Sequence, residues 1–180
     1  MNTNKLKLLA GIVYLILLLP STSEAYFTTG QTATRINDET ILFTITYQFG
    51  FLGRELYMPI MAMRGSHSDS NAPHLEYELI NQDGSTSTLG TSYSVALTSD
   101  EDAVVRDSQY YLPLKKSAEF TLITLLHVPR AEQTKDLDLS LLVTSLPFTM
   151  VKDGTPIPAQ LNPSELQYYK TPSILLAPQD

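Results

Sequence analysis

From Thr40 to Phe49 every second residue is large and apolar: Ile41, Phe43, Ile45, Tyr47 and Phe49 alternate with Thr40, Leu42, Thr44, Thr46 and Gln48. Successive side chains leave a strand on opposite faces, so this period of two predicts a strand with one buried side. The same alternation recurs where Leu75, Tyr77 and Leu79 are set against Glu76 and Glu78, and where Leu137, Leu139, Leu141 and Val143 are set against Asp138 and Ser140. Leu142, Leu146, Phe148 and Met150 then take the opposite parity, which predicts a bulge or bend before Pro147. Between Glu119 and Val128 the pattern changes character. Phe120, Leu122, Leu126 and Val128 share one face, Ile123 and Leu125 the other, and a run apolar on both sides predicts a strand covered on both, in the middle of the core.

Weaker signals fill the intervals. Tyr26 to Thr34 is Thr-rich and reads as an edge strand. Leu56 to Met63 is apolar but carries Pro59, which lacks the N–H of a central ladder position. Asn81-Gln82-Asp83-Gly84 predicts a turn returning through Ser85 to Leu89 as a hairpin. Ser92 to Leu97 reads as a short strand, Ser99 to Asp107 as an acidic connection, and Asp153-Gly154 as a tight turn. Asn162-Pro163-Ser164-Glu165 places a capping side chain, a proline at the first helical position and a glutamate at the third, predicting a helical turn to about Tyr169.

About eight short strands and one short helical turn near the C-terminus predict an all-β protein, a two-sheet antiparallel β-sandwich of immunoglobulin-like layout. The Cys-Trp-Cys signature of true immunoglobulin domains is missing, because the chain has neither residue type.

The first 25 residues follow a different rule. Lys5 and Lys7 precede an apolar run of 12 residues, Leu8 to Leu19, and Ser23-Glu24-Ala25 offers small residues at the positions a signal peptidase reads. A helix spanning the hydrocarbon core needs about 20 apolar residues, and Pro20 ends this run early. The expectation is a secretory signal peptide over 1–25 and a single domain over 26–180, with no stable membrane anchor after cleavage. The remaining 155 residues suffice to bury roughly 68–70% of the surface the unfolded chain exposes, with no metal or disulfide staple. With no cysteine, and with its Asn162-Pro163-Ser164 near-acceptor blocked by proline, the chain fits a bacterial periplasm or exterior better than a eukaryotic secretory route. The expected location is secreted or periplasmic.

Charge removes two classes of partner. Cleavage would leave 10 basic and 18 acidic residues, a net charge of −8, and Lys115-Lys116 is the only adjacent basic pair. Nucleic acid and anionic membrane surfaces both demand clustered Lys and Arg.

Three constellations carry candidate chemistry. Met58, Met61, Met63, His67, Asp69 and His74 gather thioether, imidazole and carboxylate groups within 17 positions; thioethers favour Cu(I), and imidazole suits Cu, Zn or Ni. Of these, Met61, Met63, His67, Asp69 and His74 form the candidate metal set. Asp100, Glu101, Asp102 and Asp107 could contribute to a calcium site, although they lack EF-hand spacing. Tyr110-Tyr111 and Tyr168-Tyr169 are the candidate binding residues, with one ring of each pair expected to face the core and the other to meet a protein or a sugar. No catalytic residues are assigned. There is no G-x-S-x-G motif, the three histidines are His67, His74 and His127, and His127 has the solvent-facing parity of its strand. The reading that follows is a non-catalytic exported domain, without cofactor, that contacts another exported or surface protein. The alternative is an exported copper- or calcium-binding protein.

Overall fold

A computed structural model describes residues 26–65, 72–134 and 136–177. The predicted leader, together with His67 and Asp69, lies outside the described residues. The strands are β1 (Tyr26–Asn37), β2 (Thr40–Pro59), β3 (Met61–Arg64), β4 (His74–Asn81), β5 (Thr91–Thr98), β6 (Val104–Arg106), β7 (Gln109–His127), β8 (Leu137–Ser145), β9 (Pro147–Lys152), β10 (Thr155–Gln160) and β11 (Ile174–Leu176). A 3-10 turn (Arg130–Glu132) and one short helix, α1 (Pro163–Leu166), complete the described elements.

The protein is a β-sandwich. One sheet is built on the long antiparallel pair β2–β7, flanked by β1 and β5 at one end and by β9, β10 and β6 at the other; the second is β3-β4-β8-β11. A single register pair, Met61↔Val95, links them, so the hydrogen-bonded path runs on from β5 into β3. On the opposite side β1 approaches β11, and the Gln31 side-chain amide donates to the Tyr168 carbonyl at 2.6 Å. The sandwich is thus nearly a barrel. Its core lies between Ile41, Phe43, Ile45, Tyr47 and Phe49 of β2, Phe120, Leu122 and Leu126 of β7, Leu75, Tyr77 and Leu79 of β4, and the Leu137 to Val143 odd series of β8. These are the positions the period-two pattern selects.

Four departures from the sequence reading have physical causes. First, β2 is continuous through Leu56 to Pro59, because irregular register between Gly50 and Leu56 changes the inward parity. Phe49 points inward before it, Leu56 and Met58 after it, and Pro59 falls on the final residue of the strand. A bulge shifts side-chain facing by one residue without ending the ladder. Second, β3 and β4 pair in parallel, the one parallel pair among the described strands.

Third, the turn at Asn81 forms, with Gly84 at φ 83° and the Gly84 amide donating to the Asn81 carbonyl at 3.0 Å, but the return leg is only an isolated Ile80↔Thr86 bridge. The Arg64 guanidinium occupies the acceptors that a longer strand would use: it donates to the carbonyls of Ser87, Leu89 (2.8 Å) and Gly90 (3.1 Å). Fourth, Val104 to Arg106, expected to be connection, is a strand hairpinned onto β7 through Asp107 and Ser108, both left-handed at φ 48° and 62°. A two-residue left-handed turn matches strand twist; Asp-Ser is a weak sequence signal for it compared with Asp-Gly. The parity change before Pro147 is a corner. β8 pairs with β4 and β11, whereas β9 pairs with β2 and β10, so the chain changes sheets at buried Leu146.

The β9–β10 hairpin turns at Asp153 and Gly154. β10 is an edge and carries Pro156 and Pro158 two residues apart, so neither contributes a ladder donor.

The core holds a polar anomaly with a pH consequence. Tyr47 and Tyr169 are buried with rings 5.7 Å apart, and among the described residues neither hydroxyl has a hydrogen-bond partner. Burial, with smaller contributions from Tyr169 and Tyr110, raises the Tyr47 pKa far above the ordinary tyrosine value; burial and then Glu165 push Tyr169 up to about 12. An unfolded tyrosine ionises near pH 10, so both groups favour the native state fully below about pH 10. That contribution is lost as pH rises toward and through the folded values. We expect cooperative alkaline unfolding above about pH 10, with the last phenolate absorbance appearing together with loss of near-ultraviolet circular dichroism. All tyrosines titrating smoothly with the dichroism intact would contradict the burial of this pair.

Candidate functional site

The bulge in β2 decides which side chains share the outer face of the β10-β9-β2-β7-β6 end. With Leu56 and Met58 turned inward, Glu55 and Tyr57 turn outward, and the register pairs Tyr57 with Tyr111 on β7 and with Thr149 on β9. The Tyr57 and Tyr111 rings meet at 5.1 Å between centroids, tilted by 51°. Arg106, opposite Gln109 in the β6–β7 hairpin, lays its guanidinium 3.8 Å from the centre of the Tyr111 ring. The Tyr111 hydroxyl is raised in pKa by partial desolvation and by its hydrogen bond to the Glu55 carboxylate, which stabilises the protonated phenol, while Arg106 opposes the shift. Beside the pair lies a concave surface of about 420 Å³ lined by Glu55, Tyr57, Gln109, Thr149, Val151 and Pro156.

The other end of the same sheet presents a different outer face. Register rows run Leu42–Leu125–Tyr93, Thr44–Ile123–Val95–Met61 and Thr46–Thr121–Leu97 across β2, β7, β5 and β3. No residue in these rows is charged. Tyr93 is 69% exposed and Leu125 39% exposed, with Leu97 also open, so among the described residues β7 is covered on one side only. The doubly apolar sequence of β7 therefore does not mark a strand that the described residues bury on both faces.

The predicted tyrosines divide as follows. Tyr110 packs inward against the core, its ring 6.4 Å from Phe120, while Tyr111 lies outward in the cluster just described. Tyr169 is core, and Tyr168 is 66% exposed beyond α1. The helix stops at Leu166, short of Tyr169, because the following segment returns to β8: the Tyr169 carbonyl accepts from the Val143 amide at 2.9 Å, and the Thr171 amide donates to the Leu141 carbonyl at 2.9 Å. Tyr111 and Tyr168 therefore do not form one platform. Tyr57, Glu55 and Arg106 complete the Tyr111 cluster and escaped sequence reasoning, since only a bulge of unknown position decides the facing of Tyr57.

The metal candidates are partly assembled. Parallel register sets Met61 beside His74 and Met63 beside Glu76, which gives these four a common outer face, whereas Met58 is buried in the core. His74 is itself buried. Its Nδ1 lies 2.9 Å from the Ala72 carbonyl and its Nε2 3.3 Å from a Glu76 carboxylate oxygen. Among Asp100, Glu101, Asp102 and Asp107, the Asp100 carboxylate caps the Asp102 amide at 3.0 Å, and Asp107 sits in the β6–β7 turn. Among the described residues no three carboxylate or imidazole groups converge at ligand distance. His127 is exposed at the end of β7. No described helix is long and apolar enough to cross a membrane.

No family model matches the chain, and no curated protein matches it. Among solved structures it is similar to a crystal structure of the yeast GGA1 GAE domain, at 8% identity over 76% of this chain and 96% of that chain, with a TM-score of 0.29.

Proposed function

We propose that this chain is a non-catalytic binding domain that acts outside the cytoplasm and engages another protein through the uncharged outer face of β2, β7 and β5. The observation that carries the reading is the exposure of Tyr93, Leu125 and Leu97 in contiguous rows with no charged residue among them. Contiguous apolar surface of this kind is uncommon on monomeric proteins and marks interaction sites, where tyrosine is enriched. The export half rests on Met1 to Ala25, where Lys5 and Lys7 precede a 12-residue apolar run and a small-residue cleavage site. The metal-binding alternative retains Met61, Met63 and His74 on one face with the Glu76 carboxylate 3.3 Å from His74, but among the described residues no third carboxylate or imidazole group joins them.

Site-specific photo-crosslinking tests the reading in cells that make the protein. Crosslinkers at positions 93 and 125 are expected to capture the same discrete protein adduct, and one at exposed position 101 to capture none, with the processed chain beginning at Tyr26. Equal adduct patterns from all three positions, or none from 93 and 125, would remove the docking face. Intact precursor in the cytosol would remove the export half.

A further inference from the structure

We propose that the concave surface beside Tyr57 and Tyr111 is a binding site for a neutral oligosaccharide, separate from the apolar docking face. The outward tyrosine pair is held rigidly: Arg106 lies over the Tyr111 ring, Tyr57 packs against it at 5.1 Å, and the paired strands β2 and β7 fix both backbones. Tyr57 lines the concavity, and the C–H face of a pyranose stacks on its ring at little conformational cost, because packing against Tyr111 already holds that ring in place.

The surrounding groups choose the ligand class. Glu55 and Gln109 line the concavity with Thr149, and Arg106 lies opposite Gln109. A carboxylate offers two acceptors, a guanidinium two parallel donors and an amide one of each, geometries that match adjacent ring hydroxyls. The one charged lining residue, Glu55, accepts a hydrogen bond from the Tyr111 hydroxyl, and the Arg106 guanidinium beside the concavity carries the opposite charge, so neither an anion nor a cation meets clustered counter-charge, which favours a neutral ligand. Val151 and Pro156 supply an apolar wall on the far side of Tyr57. The concavity is open and its lining spans β7, β2, β9 and β10, so a ligand longer than one sugar ring can extend across several strands.

An array of immobilised neutral and acidic glycans, probed with the mature protein, tests the proposal. At least one neutral glycan should be retained, and Tyr57→Ala or Tyr111→Ala should each weaken it by about tenfold or more. Tyr57→Phe should restore most of the binding, because the ring face and not the hydroxyl is used. Gln109→Ala, a truncation in the sheet's outer face, should weaken it several-fold with the melting temperature unchanged, which keeps the test valid if a tyrosine variant fails to fold. Tyr93→Ala should leave glycan binding intact, so failure of the protein-docking reading and failure of this one are distinguishable. Retention of no glycan, preference for acidic glycans, binding indifferent to Tyr57→Ala, or capture of an extended peptide by the same tyrosines would each overturn it.

Discussion

Phe120→Ala should lower the stability of the β-sandwich domain by about 3–5 kcal/mol, a large part of the roughly 5–15 kcal/mol that holds a domain of this kind together. Phe120 is fully buried, and its ring is the junction of the aromatic core. It stacks on Tyr47 at 5.8 Å, meets Phe49 edge-on at 6.3 Å and reaches Tyr110 at 6.4 Å. Truncation leaves a cavity walled by three rings that are fixed on β2 and β7, which prevents collapse and places the cost at the upper end of the range. The melting temperature should fall by roughly 6–20 °C. Leu125→Ala, one strand position from the inward series but on the exposed face, should cost within about 1 kcal/mol. Urea denaturation of both variants decides the matter. Equal losses would mean that β7 is buried on both sides and that the docking face does not exist.

Gly90→Ala should be nearly as damaging, through the backbone. Gly90 sits at φ 71°, where an L-residue is strained, and a Cβ there would stand 2.5 Å from the His127 carbonyl oxygen and 2.9 Å from a Val128 methyl. The first of these is main chain of the central strand and cannot swing aside. The loop is also tied from both directions, since Arg64 donates to the Gly90 carbonyl and the Gly90 amide donates to the Glu132 carboxylate at 2.9 Å. We expect a loss of about 3 kcal/mol or more. Gly84→Ala supplies the control: φ is 83° but no atom lies within 4 Å of the added methyl, so only the left-handed strain of about 1–2 kcal/mol is incurred. Thermal melts separating the two by several degrees bear out the close approach of Gly90 to β7. Matching melts would show that the loop stands away from the strand.

Individual elements show why some of this architecture was legible and some was not. Thr40 to Phe49 could be read because strand period and burial coincide there for ten residues without interruption. Tyr57 could not be placed, because a single irregularity between Gly50 and Leu56 reverses every facing after it and leaves no compositional trace. Glu119 to Val128 was misjudged in one respect: apolar residues on both faces identify a central strand, but they do not say whether the second cover comes from the same chain. β6 escaped notice because Val104 to Arg106 is exposed and acquires strand character only from pairing with β7. The site follows the same logic. Tyr111 was visible as one of two adjacent tyrosines of which one had to face outward, whereas its neighbours Glu55, Tyr57 and Arg106 come from two other strands and are joined to it by register alone.

The prolines of β10 bear on how copies of this chain can meet. An antiparallel strand presents its N–H groups alternately to the partner and to solvent, and residues 156 and 158 share one orientation. Neither carries a donor, so a newcomer aligning along that border would find consecutive rungs missing and could not zip on. Growth by stacking strand against strand into a fibril is thereby refused at this margin. At this border two copies can meet only through their side chains.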